Sequence, residues 1–310
     1  MNRVFAITAV VTLLAISPTS VIAQSGSRNN GASAAAYRAY QQQLAQQQQE
    51  AAARQQQLEA ARQRAAAEAA RKADEQKQRT GIAVVELFTS QGCSSCPPAD
   101  AALKQVATVA KERDLRVYCL SFHIDYWDRL GWKDSYSKPD FSTRQAAYAA
   151  KKTDNNLYTP QMIVNGTDEF LGSDRDRIHK SITTALRKRP RTSVAIQLSP
   201  NQAKPGSLSV SYNLDGNADD VALNFAVVQS PAANKVEAGE NVGKKSMHVN
   251  VVRAFRVIVP EATTGSVELD LPETFDASTA YDVIVYAQDK ESYAIVGATA
   301  ESVLGTRTSS

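Results

Sequence analysis

An α/β domain followed by an all-β sandwich, with one long helix in front of both, is the architecture this 310-residue chain predicts. Three observations carry it. Residues 81–190 alternate short apolar runs with helix-period segments, as strands and helices packed in layers do. Residues 191–310 hold roughly seven short runs of alternating apolar residues between turn signals, with no helix-period segment. Residues 35–78 are dominated by Ala, Gln, Arg and Glu, contain no Gly or Pro, and read as a single helix.

The N-terminus speaks for export. Asn2 and Arg3 form a positive head, Val4 to Ile16 an apolar run, and Ser17-Pro18 a break before the small-residue site Val21-Ile22-Ala23. The run is short for a bilayer span, so residues 1–23 are expected to be a signal peptide, cleaved after Ala23, rather than an anchor. The mature protein is then periplasmic or secreted, with no stable membrane span. In an oxidising compartment thiols pair, and three cysteines leave one over. Cys93 and Cys96 are the natural pair. Cys119, in the strand-like run Leu115–Phe122, is the odd one and is expected to be buried and inert.

Charge and composition exclude some classes. The net charge is +3, but residues 35–80 carry eight Lys/Arg against five Asp/Glu, and residues 81–310 carry 25 against 27. A near-neutral body argues against a nucleic-acid surface. Three histidines make a multi-histidine metal centre a poor reading, and neither cofactor nor resident metal is expected.

Residues 24–34 read as a flexible leader, so that leader and helix together fill 24–80. Tyr37, Leu44, Ala51, Leu58 and Ala65 recur every seven residues. Their companions Tyr40, Gln47, Arg54 and Ala61 are mostly not apolar, so the coiled-coil seam is weak. A helix of this length reaches about 65 Å at 1.5 Å per residue. It reads as a spacer or a weak self-association arm through residues 35–78; a partly disordered low-complexity tail is the competing reading.

Within 81–190 the expected order is a buried strand Ile82–Phe88, a helix Pro97–Lys111, a buried strand Val117–Phe122 and an aromatic-rich insertion. A helix Phe141–Lys152 capped by Asp140 lies in that insertion. A short strand Gln161–Val164, the turn Asn165-Gly166, a strand from Phe170 and a helix opened by Asp174 complete the domain. In 191–310 the strands are Val194–Leu198, Leu208–Leu214, Val221–Val228, Val249–Val259, Val267–Leu271, Tyr281–Ala287 and Tyr293–Ala298, enough for an Ig-like sandwich taken as a second domain.

The chemistry concentrates in Phe88-Thr89-Ser90-Gln91-Gly92-Cys93-Ser94-Ser95-Cys96-Pro97-Pro98. Two adjacent prolines suit a first helical turn, because neither can donate a backbone N–H. That places the sulfurs at the positive end of the helix dipole, which favours thiolate. Cys93, on the loop side, is expected to be the exposed attacking thiol, and Cys96 the resolving one. Cys-X-X-Cys also occurs in metal sites. Here it sits between a strand and a helix, Thr159-Pro160 precedes a later strand, and a hairpin and helix close the order.

On those features residues 82–188 resemble a thioredoxin-fold domain. The resemblance implies that Pro160 is a cis-proline facing the cysteines and helping to hold a partner's backbone, with Thr159 beside it. A closer resemblance exists to a family of exported thioredoxin-like proteins known only as a domain of unknown function. It rests on Val85 to Asp100, on Ser121-Phe122-His123-Ile124-Asp125-Tyr126-Trp127-Asp128, on Gly131-Trp132-Lys133-Asp134 and on Tyr158-Thr159-Pro160-Gln161-Met162. Gly239-Glu240-Asn241 and His248 to Arg253 extend it through most of residues 82–300, and it supplies no substrate. Thioredoxins carry Trp where Gly92 stands and Gly-Pro where Ser94-Ser95 stand, so their reducing character does not carry over. The long insertion between Phe122 and Pro160 is expected to pack over the cysteines as a lid or groove.

Several residues complete the expected site. Glu86, a charge in an apolar strand, is a candidate proton shuttle for Cys96; a salt-bridged glutamate is the alternative. His123, at the end of the second strand with Asp125, is a candidate to stabilise the Cys93 thiolate; a histidine bonded within the insertion is the alternative. Trp127, with Trp132, is a candidate groove wall or simply core. The function expected is a thiol–disulfide oxidoreductase of the cell envelope, acting on a cysteine-containing protein or small thiol. Two alternatives stay open: a Cu(I) module with Cys93, Cys96 and His123 as ligands, and a structural disulfide beside a β-sandwich that binds a partner.

Overall fold

The computed structural model describes residues 30–78, 80–152, 155–272 and 279–303; the expected signal at 1–23 lies outside them. Helix α1 (Asn30–Gln78) runs 49 residues and begins inside the stretch read as leader. Its described side chains are exposed, Tyr37, Tyr40, Leu44 and Leu58 among them. Among the described residues no helix is long and apolar enough to cross a membrane.

The rest is a mixed α/β sheet with smaller antiparallel sheets. Strand β1 (Ala83–Thr89) is buried along its whole length and pairs in parallel with β2 (Val117–His123). Such strands are apolar on both faces because helices cover both. Helix α2 (Pro97–Glu112) connects them, with Pro97 and Pro98 in its opening turn. Helix α3 (Pro139–Lys152) begins two residues before the expected start, because Pro139 fits a first helical position; Asp140 therefore sits in the first turn and is not the cap.

Strands β3 (Gln161–Val164) and β4 (Asp168–Leu171) form the hairpin, with β3 antiparallel to β1. Asn165 and Gly166 both take positive φ in its turn, and a Cβ on Gly166 would lie 1.9 Å from Tyr293 O. Helix α4 (Arg175–Leu186) is capped as expected, the Arg177 N–H donating to Asp174 Oδ1 at 3.0 Å.

All seven runs expected in 191–310 contain a strand, but the sheets differ from the expectation. Strands β5 (Thr192–Pro200), β6 (Ser207–Gly216) and β11 (Thr264–Asp270) make a three-stranded sheet. Strands β7 (Val221–Gln229), β10 (Val251–Ile258), β12 (Tyr281–Asp289) and β13 (Ile295–Ser302) instead continue the first sheet, giving the order β13-β12-β7-β10-β2-β1-β3-β4. The strands expected to form a separate second domain are therefore divided between a small antiparallel sheet and the large sheet of the α/β part. The join is the parallel pair β10–β2: Asn250 O accepts the Ser121 N–H at 2.9 Å, and Asn250 Nδ2 donates to Cys119 O at 3.0 Å. Strands β8 (Ala232–Lys235) and β9 (Lys245–His248) form a separate two-stranded hairpin that the apolar pattern did not reveal.

Strand alternation sorts the side chains. Val85 and Leu87 join the core with Ala99 and Leu103 of α2, while the three-stranded sheet covers Leu223, Phe225, Val283 and Val285. Val84, Glu86 and Phe88 point to the opposite face, under α3, where Phe122, Phe141 and Tyr148 meet Ala226, Ile284 and Tyr286. In that apolar layer Arg144 Nε donates to Glu86 Oε1 at 2.8 Å. Tyr286 and Tyr148 hydroxyls donate to the same carboxylate at 2.9 and 2.5 Å. The guanidinium also donates to Asn224 and Gln288 and stacks 5.0–5.7 Å from the rings of Phe255, Tyr148, Phe122 and Tyr286.

Removing one partner strands the other's charge in this layer, which costs about 3–5 kcal/mol. Arg144→Met and Glu86→Gln should each lower stability by roughly that much. The Glu86→Leu/Arg144→Met double variant should recover part of it. Urea unfolding midpoints measure all three, and a loss under about 1 kcal/mol in both single variants would refute the buried-pair account.

Candidate functional site

The loop Ser90–Cys96 leaves β1 and enters α2. Cys93 and Cys96 are joined by a disulfide, with Cα atoms 5.4 Å apart. Cys96 occupies the N-cap of α2, and the first N–H groups after the two prolines, on Ala99 and Asp100, donate to Cys96 O at 2.9 and 3.1 Å. Both sulfur-bearing residues are fully buried, while Ser94 and Ser95 between them are exposed. The expectation of an exposed Cys93 is thus corrected: neighbouring chain covers it.

Thr159–Pro160 is a cis peptide, as the thioredoxin resemblance implied. Pro160 O accepts the Gly172 N–H at 2.9 Å, and the fit at Gly172 is close, since a Cβ would stand 2.8 Å from Leu87 Cδ1 and 3.1 Å from Ala99 Cβ. The Thr159 hydroxyl donates to Cys93 Sγ at 3.3 Å, and the Trp127 indole N–H donates to Thr159 Oγ1 at 2.8 Å. The indole occupies a lone pair of that oxygen and leaves its proton for the sulfur. Ser95 Oγ lies 3.4 Å from the same sulfur. Trp127, read as wall or core, is therefore a polar support one residue removed from Cys93.

His123 and Glu86 are placed otherwise than expected. His123 is buried and its Nδ1 lies 2.7 Å from Asp134 Oδ2, so its polar partner is a carboxylate and not Cys93. The same Asp134 oxygen accepts the Gln91 N–H at 2.8 Å, so His123 reaches the disulfide loop only through Asp134. Burial opposes the Asp134 charge, but His123 and the N–H donors of Gln91 and Tyr136 prevail and hold its pKa below the usual carboxylate value. Glu86 points to the α3 face, with both oxygens engaged by Arg144, Tyr148 and Tyr286; one residue's offset along a strand reverses the facing.

Gly239-Glu240-Asn241, which the resemblance marks without a role, lies over the disulfide loop. Between β8 and β9, Asn241 Nδ2 donates to Gln91 O at 2.9 Å and Cys93 O at 2.8 Å. Glu240 Oε2 accepts the Ser94 N–H at 3.1 Å. The Gln91 side chain exchanges hydrogen bonds with Asn234 and accepts from Trp132 Nε1. The cover is thus built by the β8–β9 hairpin together with the insertion. Gly239-Glu240-Asn241 was visible only as resemblance, since a hydrogen bond between residues 148 positions apart leaves no periodic trace. Arg253 lies apart, donating to Gln229 and stacking on Tyr136. Cys119 is unpaired and buried. Among the described residues no three or more His, Cys, Asp or Glu side chains are grouped as metal ligands.

Comparison with known proteins adds a family. The family described as "Protein of unknown function (DUF1223)" matches residues 84–288. The structure of Protein AGR_C_4864 from Agrobacterium tumefaciens is similar at 28% identity and TM-score 0.52, over 74% of this chain and 96% of that one. HBP35 of Porphyromonas gingivalis shares the fold at 16% identity and TM-score 0.52, over 74% and 79%. No curated protein matches.

Two outcomes follow from the buried groups. Burial pushes the Cys119 thiol up to about 12, so native protein treated with iodoacetamide near neutral pH should stay unlabelled at Cys119 until it is unfolded. Asp134, held below its unfolded value, contributes stability above the usual carboxylate range and loses it as pH falls. Asp134→Asn should flatten the acid limb of a thermal-melt profile; an unchanged limb would remove Asp134 from the account.

Proposed function

Starting from a chain that belongs to the DUF1223 family, whose description assigns no activity, we propose that this protein is a thiol–disulfide exchange enzyme of thioredoxin-like type. The observation that carries the reading is a Cys93–Cys96 disulfide at the start of α2 with the Thr159 hydroxyl directed at Cys93 Sγ beside a cis Thr159–Pro160 bond. The element order strand, α2, strand, α3, hairpin, α4 across residues 83–186 supports the same reading.

In the oxidised form a client thiolate attacks Cys93 Sγ and displaces Cys96 as thiolate, which the α2 dipole stabilises. A second client thiolate then releases Cys93, so the client is oxidised by two electrons and the pair is reduced. The reverse sequence begins with the Cys93 thiolate. There the Thr159 O–H, oriented by Trp127, donates to the charged sulfur, a bond worth about 1.5–3 kcal/mol. Pro160 is read as a partner's backbone support, and the client as an exported cysteine-containing protein or small thiol.

A structural disulfide is the second reading, favoured by one observation: both cysteines are buried and their loop is tied to Asn241 and Glu240. Equilibration with glutathione buffers separates the two. A potential between about −120 and −270 mV fits exchange, and one below about −300 mV fits a structural bond. Cys93→Ser should abolish exchange with a model disulfide peptide, and Cys96→Ser should accumulate mixed disulfides at Cys93. Thr159→Val removes the O–H donor to the sulfur and should raise the Cys93 thiol pKa, read by the pH dependence of its alkylation. Full exchange in Cys93→Ser would sink the proposal.

A further inference from the structure

Resolving a mixed disulfide at Cys93 requires Cys96 to lose its proton. Cys96 is fully buried, so the proton needs an acceptor and a route to water. Glu86 does not serve, since its oxygens are engaged on the other face of the sheet. On the α2 face, Asp100 follows Cys96 by four residues, the spacing that puts two side chains on one side of a helix.

Asp100 belongs to a polar cluster with Thr89, His248 and Ser246. Its Oδ1 accepts from Thr89 Oγ1 at 3.0 Å and stands 3.5 Å from His248 Nδ1, an ion-pair distance long for a hydrogen bond. His248, brought in by β9, is 3% exposed, and its Nε2 lies 2.6 Å from Ser246 Oγ. Ser246 and Asp100 both line a cavity of about 320 Å³ between the first turn of α2 and the β8–β9 hairpin, beside the exposed Lys104, Lys244 and Lys245. Two buried imidazole nitrogens there lack a hydrogen-bond partner, His248 Nδ1 and His123 Nε2, and the two rings stand 4.5 Å apart, edge to face. Buried polar atoms are seldom left so, and redox or catalytic use is one of the few reasons they are.

We propose that Asp100 and His248 form the proton relay of Cys96, with Ser246 as its outlet into the cavity. The inference rests on the exchange reading. In the resolving step the Cys96 S–H gives its proton to the Asp100–His248 couple, and the Cys96 thiolate attacks Cys93 Sγ. The Cys93–client bond breaks and the client departs as thiolate with the electron pair. The couple then returns the proton to water by way of Ser246, so atoms and charge balance. Besides Asp100, the groups facing His248 are the His123 and Tyr136 rings and the Asp134 carboxylate. Burial disfavours protonated His248, but the negative charges of the nearby Asp100 and Asp134 carboxylates outweigh it and raise its pKa, which makes the imidazole a stronger proton acceptor.

The test uses reduced protein mixed in stopped flow with dithiobis-nitrobenzoate, whose released thiolate absorbs visible light. Cys93 attack gives the first release, and Cys96 resolution the second. Asp100→Asn and His248→Gln should slow the second phase about 100-fold at neutral pH and change its pH profile, leaving the first unchanged. Ser246→Ala, at a partly exposed position, should slow it less. In the unsubstituted protein only the second phase should show a solvent deuterium isotope effect, which keeps the test decisive if a variant fails to fold. Absence of that effect, or a second phase of parental rate and pH profile in both buried variants, overturns the relay. A missing first phase in the unsubstituted protein would instead overturn the exchange reading.

Discussion

The Glu86–Arg144 pair is the constraint around which the rest of the molecule is arranged. Its carboxylate comes from β1, its guanidinium from α3 together with the Tyr148 hydroxyl, and its partners Asn224, Tyr286 and Gln288 from β7 and β12. Strands read from the sequence as two domains therefore share one polar cluster, inside an apolar layer where unpaired charge is costly. Backbone bonds between β10 and β2 are few, a single register pair with Asn250 beside it. The cluster and the aromatic layer around it hold the eight strands to one sheet and cover Arg144 with rings on several sides.

With the sheet set, the disulfide loop is fixed from both sides. The insertion contributes Trp127, which orients Thr159, and Asp134, which takes the Gln91 N–H. The hairpin contributes Asn241 and Glu240, which take up the backbone groups of Gln91, Cys93 and Ser94. The α3 face of the sheet keeps its one buried carboxylate neutralised by an arginine. The α2 face instead sets carboxylates beside two histidines, Asp134 at His123 and Asp100 at His248.

Much of this was legible in sequence, for definite reasons. The strand–loop–helix around Cys93 and Cys96 was readable because Pro97-Pro98 permits only a helix start. The Asn165-Gly166 turn and the Asp174 cap were readable because local backbone geometry selects those residues. The facing of Glu86 was not, since a strand's two sides differ by one position and Val84, Val85, Leu87 and Phe88 are apolar on both. Nor was the shared sheet, because alternation marks a strand but not its neighbour. The β8–β9 hairpin escaped because four-residue strands with Asn, Lys and Ser show little apolar rhythm. Asp134, Asn241 and His248 were named by resemblance and acquired roles only when distant segments met at the loop.

The grip of Asn241 on two carbonyls of the disulfide loop ties two equilibria together. Any difference in how well the hairpin fits the loop before and after the sulfurs gain electrons appears as free energy in both processes, and in equal amount. A molecule that grasped the hairpin would thereby alter the electron affinity of the sulfurs without touching them. Reciprocally, the state of the sulfurs would set how firmly that molecule is held.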